Sequence, residues 1–186
     1  MKTVQKVAVA SLVAGTATAA GDAHAAFDAY LKIDGIKGGT TIKGEANVIP
    51  ITSFELSGNA AEDIGATGAT GGVASGKRTF SPVVIQKLVD ATSVDLFKAF
   101  TGGQHLATVE IDFVNTAVEG GAPYLKFDLG DAFVTSYSVS GSGSERPTES
   151  ISFSFLKIEE TYITTVKGEV GDTASASYDL STLKAD

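Results

Sequence analysis

The sequence predicts a mainly β domain, a β-barrel or sandwich of about seven to nine antiparallel strands with one α-helix. Three observations lead there. Several segments alternate apolar and polar residues with a period of two, the mark of a half-buried strand. Glycine is frequent at 21 residues and proline scarce at 4, so turns punctuate the chain and few strands are interrupted. One stretch, Ser93–Thr101, has helical spacing closed by glycine. At 186 residues and 43% hydrophobic content, the chain fits one domain with a substantial core.

Charge and composition exclude several functions. The net charge is −8 and the 14 basic residues are scattered, so the chain repels phosphate backbones and anionic lipid. No nucleic-acid partner is expected. There is no cysteine, which removes disulfides, thiol catalysis and thiolate metal sites.

Residues 1–25 are ordered like a secretory signal: Lys2 and Lys6, an apolar run from Val7 to Ala20, then Ala23-His24-Ala25 as a small-x-small cleavage site. Ala26 would be the first mature residue. The run is shorter than the roughly 20 residues of a membrane span, so no membrane insertion is expected after cleavage. The expected organisation is a signal or N-terminal extension over 1–25 and one domain over 26–186. The other reading of 1–25 is an ordered extension that is retained.

The elements follow in order. In Ala26–Ile36, Phe27, Ala29, Leu31 and Ile33 share one face, and Asp28, Tyr30, Lys32 and Asp34 the other. Val48–Leu56 reads as a second strand, with Pro50 at an edge or bulge because it has no N–H. Residues 57–79 are rich in Gly, Ala, Ser and Thr and read as a long flexible loop. Phe80–Val89 reads as a third strand. In the helix, Thr92 and Asp95 resemble a capping box, and Leu96, Phe97 and Phe100 form one apolar, core-facing stripe. His105–Asn115 alternates again. Tyr124–Leu129 and Ala132–Ser140 read as paired strands around a Gly130-Asp131 turn. Ser150–Thr164 reads as a strand with a bend, and Ala176–Leu180 as a last short strand.

A search for chemistry finds no catalytic constellation. His105 is the one histidine beyond residue 25, and no G-x-S-x-G elbow accompanies it. A structural or surface role is expected for it. The acidic pairs Glu62-Asp63, Asp128 with Asp131, and Glu159-Glu160 lack a calcium-loop spacing and read as solvated surface. Gly65–Gly72 is followed by no G-K-[ST], so it is no phosphate loop. No catalytic residue, cofactor or metal is expected.

Three stretches together resemble the Hcp family, the tube proteins of type VI secretion. AFDAYLKIDGI (26–36) resembles its opening strand, and KLVDATSVDLFKAFTGGQH (87–105) its strand, helix and glycine stop. YLKFDLGDAFVTSYSVSGSGSERPTESISFSFLKIEETY (124–162) resembles its longest signature, and ASYDL (176–180) its closing segment, with Tyr178 where the family has Trp. The family's second strand carries a Trp that ITSFELSG lacks, and its members carry no signal peptide. The resemblance implies a hexameric ring, rings stacked into a hollow filament, and a spike protein, a sheath or effector proteins as partners. It also implies that the long loop reaches the neighbouring ring, which makes Asn59, Glu62, Asp63, Ile64, Val73, Lys77 and Arg78 the expected stacking residues.

Three functions stay open at this point. The first is a self-assembling structural subunit, placed in the periplasm or outside the cell if 1–25 is removed and in the cytoplasm before secretion if it is kept. The second is an exported module holding a peptide or small protein within a non-stacking ring. The third is a carboxylate-based hydrolase, which needs two acids converging in a pocket with displaced pKa values.

Overall fold

The computed structural model describes residues 27–42, 45–60, 77–115, 123–166 and 169–185. In chain order the strands are β1 (Phe27–Ile33), β2 (Thr40–Ile42), β3 (Glu45–Ile51), β4 (Ser53–Glu55), β5 (Gly58–Ala60), β6 (Arg78–Phe80) and β7 (Val83–Leu88), then helix α1 (Ser93–Gly102). There follow β8 (His105–Asn115), β9 (Pro123–Ser140), β10 (Thr148–Ser154), β11 (Lys157–Val166), β12 (Glu169–Asp179) and β13 (Lys184–Ala185). All described pairings are antiparallel. The segments outnumber the expected strands because bends divide several of them.

Alternation in β1 places Leu31 and Ile33 opposite Ile111 and Val109 of β8, and Leu31 opposite Ile49 of β3. Beyond β8, Val109 and Ile111 meet Leu129 and Phe127 of β9. The other half of β9 meets β10 (Tyr137 with Ile151), β10 meets β7 (Ile151 with Ile85), and β7 meets β4 (Ile85 with Phe54). Thr52 donates its N–H to Gln86 O at 2.7 Å, carrying the pairing from β3 into β4. The circle closes as a barrel, and its inward residues form one apolar core. Each buried Ile, Leu or Phe contributes about 1.5–3 kcal/mol relative to exposure. β11, β12 and β13 extend from β9, while β2 extends from β3. Pro50 is paired with Tyr30 of β1 and lies past Val48, where the pairing with β2 ends. Gly38 lies against the Val48 carbonyl so closely that no side chain fits there.

Four expectations are corrected. Gly130-Asp131 is no hairpin turn: β9 runs through it as one strand of 18 residues. Asp131 has φ of 53°, a left-handed irregularity within the strand, at the point where its partner on one edge changes from β11 to β10. Residues 57–79 are not loop throughout, because β5 and β6 pair as a two-stranded ribbon at its root. Thr92 makes no side-chain cap bond, since its hydroxyl donates to Asp90 Oδ1 at 2.6 Å instead. Leu96 and Ala99 are the buried face of α1, while Phe97 and Phe100 are exposed. The glycine stop is as expected, with Gly103 left-handed at φ 57°.

Candidate assembly surfaces

The β5–β6 ribbon is a sheet of its own, with Gly58 opposite Phe80, Asn59 opposite Thr79 and Ala60 opposite Arg78. Every residue of β5 is exposed. Its root is firm: Ser81 donates its N–H to Ser57 O at 2.9 Å, and the Phe80 ring lies 5.9 Å from those of Phe155 and Tyr178. Of the expected stacking residues, Asn59 and Arg78 lie on the ribbon and Lys77 is exposed beside it. Glu62, Asp63, Ile64 and Val73 fall outside the described residues, as do Ala23, Ala25 and Ala26.

A second surface surrounds α1. Val94 is 59% exposed, Phe97 49% and Phe100 36%, and both rings flank Tyr137 at 5.5 and 6.2 Å. Val139, two residues beyond Tyr137 on β9, is also exposed. Helical spacing alone assigns Phe97 and Phe100 to the core. The signal against that is Ala99, whose small side chain lets the helix approach the sheet through Leu96 and Ala99 instead. Beneath the helix, Lys87 and Glu149 are fully buried. Lys87 Nζ donates to Glu149 Oε1 at 2.6 Å, to Asp90 Oδ1 at 2.9 Å and to Leu88 O at 3.0 Å. Ser93 Oγ donates to Glu149 Oε1 at 2.7 Å, and Tyr137 donates its hydroxyl to Glu149 Oε2 at 2.8 Å. Burial, then the hydrogen bond and charge of Glu149, push Tyr137 up to about 12. Burial alone would raise Asp90, but hydrogen bonds from Thr92 and Lys87 hold it below the usual carboxylate range. This network fixes the start of α1 to β7 and β10.

A third surface is the outward face of β4, β7, β10 and the second half of β9. One rung reads Ser53, Gln86, Ser150, Ser138 and the next Glu55, Val84, Ser152, Ser136. Glu55 is the one charge in these rungs.

The outward face of β1, β8 and β9 is charged instead. Lys32 of β1 lies opposite Glu110, and Tyr30 opposite Asp112. Lys32 Nζ reaches Glu110 Oε1 at 2.9 Å, Asp112 Oδ2 at 3.2 Å and Glu45 Oε2 at 3.2 Å. Lys126 Nζ reaches Glu110 Oε1 at 3.2 Å and Asp112 Oδ1 at 3.8 Å. Burial would raise Glu110, but hydrogen bonds from Asp112, Lys32 and Lys126 outweigh it and hold it at about 2. Burial, then the hydrogen bond and charge of Glu110, push Asp112 up to about 7. A carboxyl pair split this way is what a hydrolase needs, yet Asp112 is buried and both acids are clamped by lysines.

The acids named from sequence do not converge on a pocket. Glu159 and Glu160 point to opposite faces by alternation, and Asp131 serves His105 Nε2 at 3.1 Å and Lys157 Nζ at 3.3 Å. Asp128 is half-buried rather than solvated, and burial with the Glu110 charge raises it. His105 stands exposed at the start of β8, stacked edge-on with Phe133. Among the described residues, no three His, Cys, Asp or Glu side chains are grouped to hold a metal ion. No described helix is long and apolar enough to cross a membrane.

Residues 30–162 match the family described as "Type VI secretion system effector, Hcp". The chain belongs to the Hcp family. No curated protein matches it. Among solved structures it is similar to one titled "Structure of a type six secretion system protein", at 27% identity and TM-score 0.77, covering 87% of this chain and 100% of that one. It is similar to Hcp1 from Salmonella typhimurium, at 25% identity and TM-score 0.69, covering 87% of this chain and 99% of that one. It is also similar to the secreted protein Hcp3 from Pseudomonas aeruginosa, at 25% identity and TM-score 0.55, covering 83% and 98%. Each shares the antiparallel β architecture over nearly its own full length.

Proposed function

We propose that this Hcp-family chain is a structural subunit of a hexameric ring that stacks into a hollow filament, with no catalytic role of its own. The observation that carries the reading is the β5–β6 ribbon, a firmly rooted arm that pairs with no other described strand of its own chain. Such an arm presents backbone groups and side chains to a neighbour. The exposed aromatics on α1 add a surface suited to contact with a partner. The nearly uncharged hydroxyl face suits a wall along which proteins pass without being held. A head-to-tail contact between rings does not close on itself, so it extends into a filament. Effector proteins, a spike protein and a sheath are the partners this role implies. Residues 1–25 act as an export signal in this reading, 26–186 form the domain, and the protein works in the periplasm or outside the cell.

The test is electron microscopy of the full chain purified from its source, with intact mass read on the same sample. Hexameric rings and stacks are expected, with a new N-terminus at Ala26. A variant in which 61–76 is replaced by a tight turn should melt at the same temperature and form rings that no longer stack. Stacks that persist in that variant remove the arm from the contact. A stable monomer at high concentration overturns the ring itself.

A further inference from the structure

Asp112 sits at the centre of the charged outward face, and its surroundings do not balance. Its side chain is 1% exposed. The groups that face it are Tyr30 and Lys32 from β1, Glu45 from β3, Glu110 from β8, and Lys126 with Asp128 from β9. Glu159 of β11 lies behind Asp128 on the same rung. Lys32 and Lys126 therefore answer Glu45, Glu110 and Asp112, and two further carboxylates stand alongside. With every group ionised, negative charge is in excess, and Asp112 is its most buried bearer.

The hydrogen bonds show the same imbalance. Asp112 Oδ2 accepts from Lys32, but Asp112 Oδ1 has no hydrogen-bond partner. The hydroxyl of Tyr30, on the residue paired with Asp112, has none either. A polar atom left buried and unsatisfied in this way weighs against the closed structure. A proton on Asp112 removes one negative charge and turns an orphaned acceptor into a donor. It leaves Lys32 and Lys126 matched by Glu45 and Glu110.

The position gives that proton a mechanical meaning. Tyr30 packs with Val48 of β3, Val114 of β8 and Ile42 of β2. Lys32 links the cluster to Glu45 at the start of β3. β2 is the last strand at its end of the sheet, three residues long. Charge on Asp112 is relieved by letting water in, and the short β2–β3 edge is the cover that can yield. We propose that Asp112 is a proton-controlled latch: protonated, it seats the β2–β3 edge on β1 and β8, and ionised, it loosens that edge. The raised Asp112 and lowered Glu110 agree with one proton shared unequally by the two acids. The inference rests on the fold and is independent of ring or filament formation.

Hydrogen exchange of the full chain and of Asp112→Asn tests it, between about pH 6 and about pH 8 with the intrinsic pH dependence removed. In the parent chain, opening of β2–β3 should increase by roughly tenfold or more across this range while β7 and β10 stay constant. Asparagine mimics the neutral acid, so the variant should stay closed throughout. A flat parent profile, or a variant that opens in parallel with the parent, overturns the latch. If the variant does not fold, the carboxyl 13C shift of Asp112 in the parent decides. A midpoint near neutrality supports the proposal, and a midpoint in the ordinary carboxylate range sinks it.

Discussion

The Lys87–Glu149 node under α1 and the Asp112 node on the outward face of β8 use the same ingredients: carboxylate, lysine and tyrosine within a sheet. They differ in completeness. At the first, both Glu149 oxygens accept hydrogen bonds and Lys87 has three close acceptors, while Tyr137 donates into the network. At the second, neither the Tyr30 hydroxyl nor Asp112 Oδ1 makes a hydrogen bond, and Lys126 stands off at 3.8 Å from that oxygen. A buried polar network that is closed holds elements in register; one that is open carries a cost that protonation can relieve. The lesson is that burial of charge alone predicts neither stability nor lability.

The comparison can be broken most severely at the closed node. Lys87→Met strands the Glu149 carboxylate and should cost about 3–5 kcal/mol in urea unfolding. Adding Glu149→Leu should recover most of that loss, because the stranded charge goes with it. A double variant no better than the single one would mean the pair does more than neutralise itself. Tyr137→Phe removes one charge-assisted bond and should cost about 1.5–3 kcal/mol by the same measurement. At the open node the sign of the pH dependence sharpens the contrast. Asp112 is raised in the folded chain, so stability falls as pH climbs from the ordinary carboxylate range to about 7, and is flat above it. Glu110 is lowered, so its contribution is present above the ordinary range and is lost as pH falls through about 2. The smallest effect is expected for Tyr30→Phe. Its buried hydroxyl makes no hydrogen bond, so removing it should cost nothing and should raise stability in urea unfolding by about 1 kcal/mol. A loss instead would reveal a hydrogen bond to a buried water.

Local pattern made the strand content readable. The alternation of β1 and β8 is undisturbed on the core face, so Leu31, Ile33, Val109 and Ile111 fall where periodicity puts them. The glycine stop of α1 is local too. What could not be read depends on long-range pairing. Gly130-Asp131 has the chemistry of a turn, and only the change of partner from β11 to β10 beside it shows an irregularity within one strand. Phe97 and Phe100 have helical core spacing, but which helical stripe meets the sheet is set by the sheet. Lys87, Glu149 and Asp112 occupy positions where charge reads as exposure, and each is buried only because a distant strand supplies its partner. Composition sets 57–79 apart from the strands but gives no sign of the β5–β6 pairing at its root, where Phe80 lies against Phe155 and Tyr178.

One strand also determines how the domain answers a pull. β9 is hydrogen-bonded along one edge to β8 and along the other to β11 and then β10, so tension applied along its length loads both edges in shear. Its bonds must fail together rather than open one at a time, as they would if a hairpin were unzipped from its turn. The change of partner at Asp131 makes β10 and β11 share that load. A barrel tied in this way should stay folded when dragged end-on through a narrow passage, and should yield first at its short edge strands.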